Sequence, residues 1–182
     1  MNVSSWLWDW LDIRRDVQPS QDPLDHAAKL SLRKLEDRQV LSVTSVFTAG
    51  LLDIDLSSGD DITLQVIGGT VQESINGGAF HDIDADNNLS GIQTVSASDV
   101  MAISVHSADG GDNAIDLSGV SFASGFTHAG GVTVSIDAGD GADAVMGSAF
   151  ADTILGGLGN DSLQGGAGND SYLFFDTFGV DT

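Results

Sequence analysis

Residues 138–173 read AGDGADAVM, GSAFADTIL, GGLGNDSLQ and GGAGNDSYL, four nonapeptides in succession with no insertion between them. The sixth position of the unit is Asp143, Asp152, Asp161 and Asp170, and the eighth is Val145, Ile154, Leu163 and Tyr172. An acid and an apolar side chain held in phase through four units mark a repeat in which each unit makes the same turn and the same short strand. Glycines at the second and fourth positions, Gly139, Gly141, Gly157, Gly159, Gly166 and Gly168, allow positive φ and leave turn carbonyls pointing outward. The second unit departs from the pattern, with Ser148 at position two and Phe150 at position four.

If two nonapeptides make one coil, turns eighteen residues apart stack on one edge at the inter-strand distance of about 4.8 Å. Asp143 then lies beside Asp161 on one edge, and Asp152 beside Asp170 on the other. Carboxylates that close call for a cation. Ca²⁺ takes about six to eight oxygen ligands at about 2.3–2.6 Å, which two carboxylates and the carbonyls of the glycine turns can supply. Four turns therefore predict two complete sites, one on each edge, with the Asp152 edge the weaker because of Ser148 and Phe150. The alternative is a calcium-free solenoid with solvated Asp turns, or a disordered Gly/Asp tail.

This stretch resembles the RTX, or hemolysin-type, calcium-binding repeat family. The resemblance implies a right-handed parallel β-roll whose Asp143, Asp152, Asp161 and Asp170 side chains and glycine turns hold Ca²⁺, as in secreted proteases, lipases, toxins and large adhesins. Residues 174–182 (FFDTFGVDT) resemble the start of the terminal strand region that follows such repeats. Ending there, the chain reads as a fragment of a longer protein.

Upstream, residues 43–137 carry short β-type runs (VTSVF, LLDIDL, DITLQVI, MAISV, VTVSI) separated by Gly, Asp, Asn and Ser, and read as irregular coils of the same solenoid. A separate β-sandwich is the alternative. Two faint copies of the repeat occur there. In ADGGDNAIDLSG, Gly111 and Ile115 are in phase and Asn113 stands where the Asp belongs; in LSSGDDITLQV, Asp60 precedes Ile62. Residues 1–42 contain no Gly and both prolines. Trp6, Trp10 and Ile13 have helical spacing, and Asp22-Pro23 opens a second amphipathic pattern through Leu24, Ala27, Leu30 and Leu35. The chain thus reads as all-β with a short helical N-terminal extension.

The charge is as uneven as the glycine. All six Lys and Arg precede residue 39, together with seven of the 27 acids, which leaves 20 acids and no Lys or Arg beyond it; the net charge is −21. Such a segment attracts cations and repels phosphates, which excludes nucleic acid as a partner. No run of about 18 apolar residues exists for a transmembrane segment. The absence of Cys removes disulfides, thiolate metal sites and Cys nucleophiles.

Two further motifs are partial. Asp82, Asp84, Asp86 and Asn88 alternate like the start of an EF-hand loop, but Asn87 holds the Gly position and Gln93 the bidentate Glu position. RKLEDRQVLS resembles the LEPR-XLL motif near the N-terminus of large bacterial surface proteins, through Leu35, Glu36, Arg38 and Leu41, with Asp37 and Val40 departing from it. The resemblance implies an exported or surface location. Catalysis finds no support: His26, His81, His106 and His128 are scattered, with no HExxH and no GxSxG. The expected function is a calcium-binding structural or adhesive module, extracellular or on the cell surface, not an enzyme. Its partners would be calcium ions, with surface polymers or other copies of the protein on the adhesive reading. The second reading is the calcium-dependent secretion and folding module of an exoenzyme or toxin whose catalytic domain lies elsewhere.

Overall fold

The computed structural model describes residues 43–57, 59–83, 94–108, 110–175 and 179–182. The expected N-terminal helices, the LEPR-XLL-like segment and most of the EF-hand-like loop (84–93) lie outside the described residues. The rest is all-β, with one 3-10 turn at Ala97–Asp99.

The strands are Thr44–Thr48 (β1), Leu51–Leu56 (β2), Asp61–Ile67 (β3), Thr70–Ile75 (β4), His81–Asp82 (β5), Ala102–Ser107 (β6), Ala114–Asp116 (β7), Thr133–Asp137 (β8), Ala144–Met146 (β9), Asp152–Leu155 (β10), Ser162–Gln164 (β11) and Ser171–Leu173 (β12). They form two six-stranded sheets, ordered β1-β2-β6-β8-β10-β12 and β11-β9-β7-β3-β4-β5. From β6 onward the chain alternates between the sheets, and from β8 onward each strand pairs in parallel with the strand two elements before it. β2 and β3 extend the same parallel order, pairing with β6 and β7. Each sheet therefore runs unbroken from the upstream strands into the nonapeptide strands.

The upstream end differs from an all-parallel β-roll, because β1–β2, β3–β4 and β4–β5 are antiparallel. The cause is local. Ala49-Gly50 (φ 52 and 90) and Gly68-Gly69 (φ 62 and 89) sit in two-residue connections with positive φ at both positions, the geometry that reverses a strand onto itself with the native twist. Asn76-Gly77 (φ 51 and 66) turns the chain out of β4 in the same way.

Alternation along each strand puts one side chain in two between the sheets. On the first sheet Ile54, Val105, Ile136, Ile154 and Tyr172 fall in one column by register. On the second, Ile62, Ile115, Val145 and Leu163 do the same. The columns are fully buried from Ile54 to Ile154 and from Ile62 to Val145, and end at a partly buried Leu163 and an exposed Tyr172. The eighth-position residues of the repeat thus continue a core already laid down by the upstream strands.

Ile154→Ala, at a column position with no solvent exposure, is expected to destabilise the fold by about 2–5 kcal/mol. Thr153→Ala, on the outer face of the same strand, should stay within about 0.5 kcal/mol. Chemical denaturation of both variants in calcium-containing buffer measures the difference.

Candidate metal centre

The short strands hold the turns in line, and the turns bring the sixth-position acids together. The backbone N–H of Asp143 donates to Asp161 Oδ1 at 3.0 Å, and that of Asp152 donates to Asp170 Oδ1 at 3.1 Å. These are the two pairs that eighteen-residue stacking requires, on separate edges. On the Asp143 edge the ladder is longer. Asp60 N–H donates to Asn113 Oδ1 (3.0 Å), Asn113 N–H to Asp143 Oδ1 (2.7 Å), and Asp161 N–H to Asp181 Oδ1 (3.1 Å). Five residues, Asp60, Asn113, Asp143, Asp161 and Asp181, are therefore joined rung to rung by the same bond, and both faint upstream copies of the repeat fall on this edge.

Asp181 escaped the sequence reading. It lies twenty residues beyond Asp161, so two extra residues break the nine-residue phase. The surviving signal is Gly179-Val180-Asp181, which repeats the Gly-x-Asp of Gly159-Asn160-Asp161. Asn160 Oδ1 accepts the Val180 N–H at 2.8 Å, and Thr182 N–H donates to the Asp161 carbonyl at 2.9 Å.

The glycines make this approach possible. Gly159, at φ +132, passes directly over Gly141, and a Cβ there would strike the Gly141 carbonyl oxygen. Gly156 is needed for space alone, since its missing Cβ leaves the room filled by Asp161 Oδ2. Gly139, Gly141, Gly157, Gly166 and Gly168 all have positive φ, as the turn reading requires. Ser148 and Phe150 replace that geometry in the second unit: both are buried, and Phe150 packs edge-on against Phe122 with ring centroids 4.6 Å apart.

With one carboxylate oxygen committed to the neighbouring rung, the fate of the other decides the chemistry. Asp143 Oδ2 and Asp161 Oδ2 are buried and have no hydrogen-bond partner. A buried carboxylate oxygen without a donor is costly. Burial pushes the Asp143 carboxyl up to about 6, helped by the charge of Asp161, and raises Asp161 as well. Asp152 is also raised by burial, against two hydrogen bonds from Ser148 that favour its charged form.

Among the described residues no three carboxylates or imidazoles converge, so an ion on this edge would be held by one or two carboxylates together with turn carbonyls. A hard, oxygen-preferring cation suits such a donor set. Residues 136–172 match the profile of the RTX calcium-binding nonapeptide repeat in four copies. The chain carries RTX repeats. No curated protein and no solved structure matches the chain. RTX repeats bind Ca²⁺ as a class, and the unpartnered oxygens of Asp143 and Asp161 fit that ion: these two side chains, with the carbonyls of the surrounding turns, would hold it, and it would supply the positive charge that the RTX segment lacks.

The other candidates lie elsewhere. His81 pairs with Glu73 (3.3 Å) and His106 with Asp137 (3.5 Å), in different sheets, and His26 lies outside the described residues. Asp82 accepts a hydrogen bond from Gln72 Nε2 at 2.8 Å.

The pKa shift fixes a pH dependence. The Asp143 carboxyl titrates about two units higher in the fold than its ordinary 3.8, so the folded state binds the extra proton between those values. Its stabilising contribution is full below about 4 and is lost as pH rises through about 6. In EDTA the thermal midpoint should therefore be higher at about pH 5 than at pH 7, and Asp143→Asn should flatten that slope. In calcium the order should reverse, because protons compete with the ion.

Proposed function

We propose that this chain is a calcium-dependent structural or adhesive module of an exported bacterial protein, working outside the cell or on its surface rather than as an enzyme. The observation that carries the reading is the pair of buried, unpartnered oxygens on Asp143 and Asp161, in adjacent turns of an RTX repeat. These two carboxylates would hold Ca²⁺, which would supply the positive charge that neutralises them; the chain's own residues position the ligands through the N–H to Oδ1 rungs and the glycine turns. Extracellular calcium modules have Kd on the order of 0.1–1 mM, so such a site fills outside a cell and stays empty in a calcium-poor cytosol. The absence of Lys and Arg after Arg38 supports the same assignment, because no permanently charged side chain follows it to do the work of the ion. The LEPR-XLL-like segment adds support for export.

Circular dichroism in EDTA and in about 10 mM calcium, roughly ten times the weaker end of that Kd range, tests the reading. β-structure and thermal stability should rise with calcium, and magnesium at equal concentration should not reproduce the effect, since its octahedral shell at about 2.1 Å and slow dehydration fit carbonyl-rich turns poorly. Identical spectra and midpoints in EDTA and calcium would overturn it, and equal stabilisation by magnesium would reduce it to charge screening.

A further inference from the structure

The sixth-position rungs are not chemically equivalent. At the Asp152 turn both carboxylate oxygens are taken by one residue: Ser148 donates its N–H to Oδ2 at 2.7 Å and its hydroxyl to Oδ1 at 2.6 Å. The same hydroxyl accepts the Phe150 N–H at 3.0 Å, which closes the turn around it. Ser148 and Asp152 are each 2% exposed, so these bonds act without competition from water. Ser148 occupies the position held by Gly139, Gly157 and Gly166 in the other units, and the Asp152 carboxylate, unlike those of Asp143 and Asp161, keeps no buried oxygen unsatisfied.

A second rung is closed by different means. Asn113, also 2% exposed, accepts the Asp60 N–H on Oδ1 like any rung residue. Its Nδ2, in place of a second carboxylate oxygen, donates to the carbonyls of Gly111 (2.9 Å) and Ala138 (3.0 Å) and reaches Ser107 Oγ at 3.2 Å. The orientation of the amide is fixed by these partners, since the flipped form would set its oxygen against two carbonyls. A neutral N–H donor thus sits among turn carbonyls. By repeat position, the corresponding carbonyls at the Asp143 turn are those of Gly141 and Gly156, where the chain provides a carboxylate oxygen and no donor.

We propose that Ser148 and Asn113 take the place of calcium at their turns, so that calcium is required only at the Asp143 and Asp161 carboxylates and the coils on either side are locked by protein hydrogen bonds alone. The proposal rests on the calcium reading above and changes its count: the Asp152 turn, which the repeat pattern marks as a metal turn, holds no ion.

Calorimetric stoichiometry on the full chain tests it with two independent substitutions. Ser148→Gly restores the residue of the neighbouring units and releases Asp152 Oδ1 from the hydroxyl, while the backbone N–H stays on Oδ2; Asn113→Asp exchanges the donor for a carboxylate of the same size. Each variant should bind one calcium ion more per chain than the wild type. Each should also exchange its turn amides faster in EDTA, at Ala149–Phe150 for the first and Ala114–Ile115 for the second, with protection regained in calcium. A non-zero wild-type count left unchanged by both substitutions overturns this proposal and leaves the calcium reading intact. Zero ions in the wild type and in both variants overturns the calcium reading together with it. Ser148→Ala covers the case in which Ser148→Gly fails to fold: it removes only the hydroxyl at a position without positive φ, and the same rise in calcium count is expected from it.

Discussion

The bond from a turn's backbone N–H to the sixth-position side chain one coil away is the interaction on which everything else in this molecule depends. It sets the coils in register at the turn, where the strands are too short to do so alone; β9, β11 and β12 are three residues each. It also consumes one carboxylate oxygen and carries the other into the interior. Register and charge thus become one problem: the stacking that aligns Ile136 with Ile154 and Val145 with Leu163 is the stacking that brings Asp143 against Asp161. A chain with Lys or Arg in these turns could solve it with an ion pair. This one has none after Arg38, so only a neutral donor or an ion from solution remains.

Along the Asp143 edge some rungs are closed by neutral donors and others are left open. Asp60 is closed by protein, accepting from Ser57 N–H (3.1 Å) and Asn76 Nδ2 (2.9 Å), and Asn113 closes itself on its neighbours' carbonyls. The rungs left open are the next two, Asp143 and Asp161. The difference follows the local fold. Asn76 reaches Asp60 only because the antiparallel β3–β4 hairpin returns the chain beside it; the parallel coils downstream bring back another turn with the same acid and no donor. Where the hairpins end, self-sufficiency ends, except at Asn113 and Ser148.

How much of this was legible in the sequence follows from which features repeat. The nine-residue phase dictates the pairing of Asp143 with Asp161 and of Asp152 with Asp170, because a strict period dictates stacking. No period announces the antiparallel upstream end; its signals are the local reversals Ala49-Gly50, Gly68-Gly69 and Asn76-Gly77. Asp181 was missed because two inserted residues broke the phase while the local Gly-x-Asp survived. Ser148 stands in the pattern as a departure from glycine, which speaks of backbone freedom and is silent about the hydroxyl. Hydrogen bonds that a departure creates cannot be read from the pattern it departs from.

Stacked coils touch only their neighbours, so their stability is close to a sum of single-coil terms and coil-to-coil interfaces. In such an array the placement of closed and open rungs matters as much as their number. The upstream strands begin the apolar columns and close their own rungs, and their sheet edges at β7 and β8 are where β9 and β10 pair. The nonapeptide coils add one or two inward side chains each and bring the unsatisfied oxygens. A fold arranged this way has a base stable enough to template pairing and a distal stretch whose interfaces are marginal until their carboxylates are neutralised. Ser148, in the first turn after β9, lies between the open rungs of Asp143 and Asp161 along the chain. It lets one edge of the array stay shut without metal while the opposite edge waits for it, which confines the effect of calcium to the turns that lack a donor of their own.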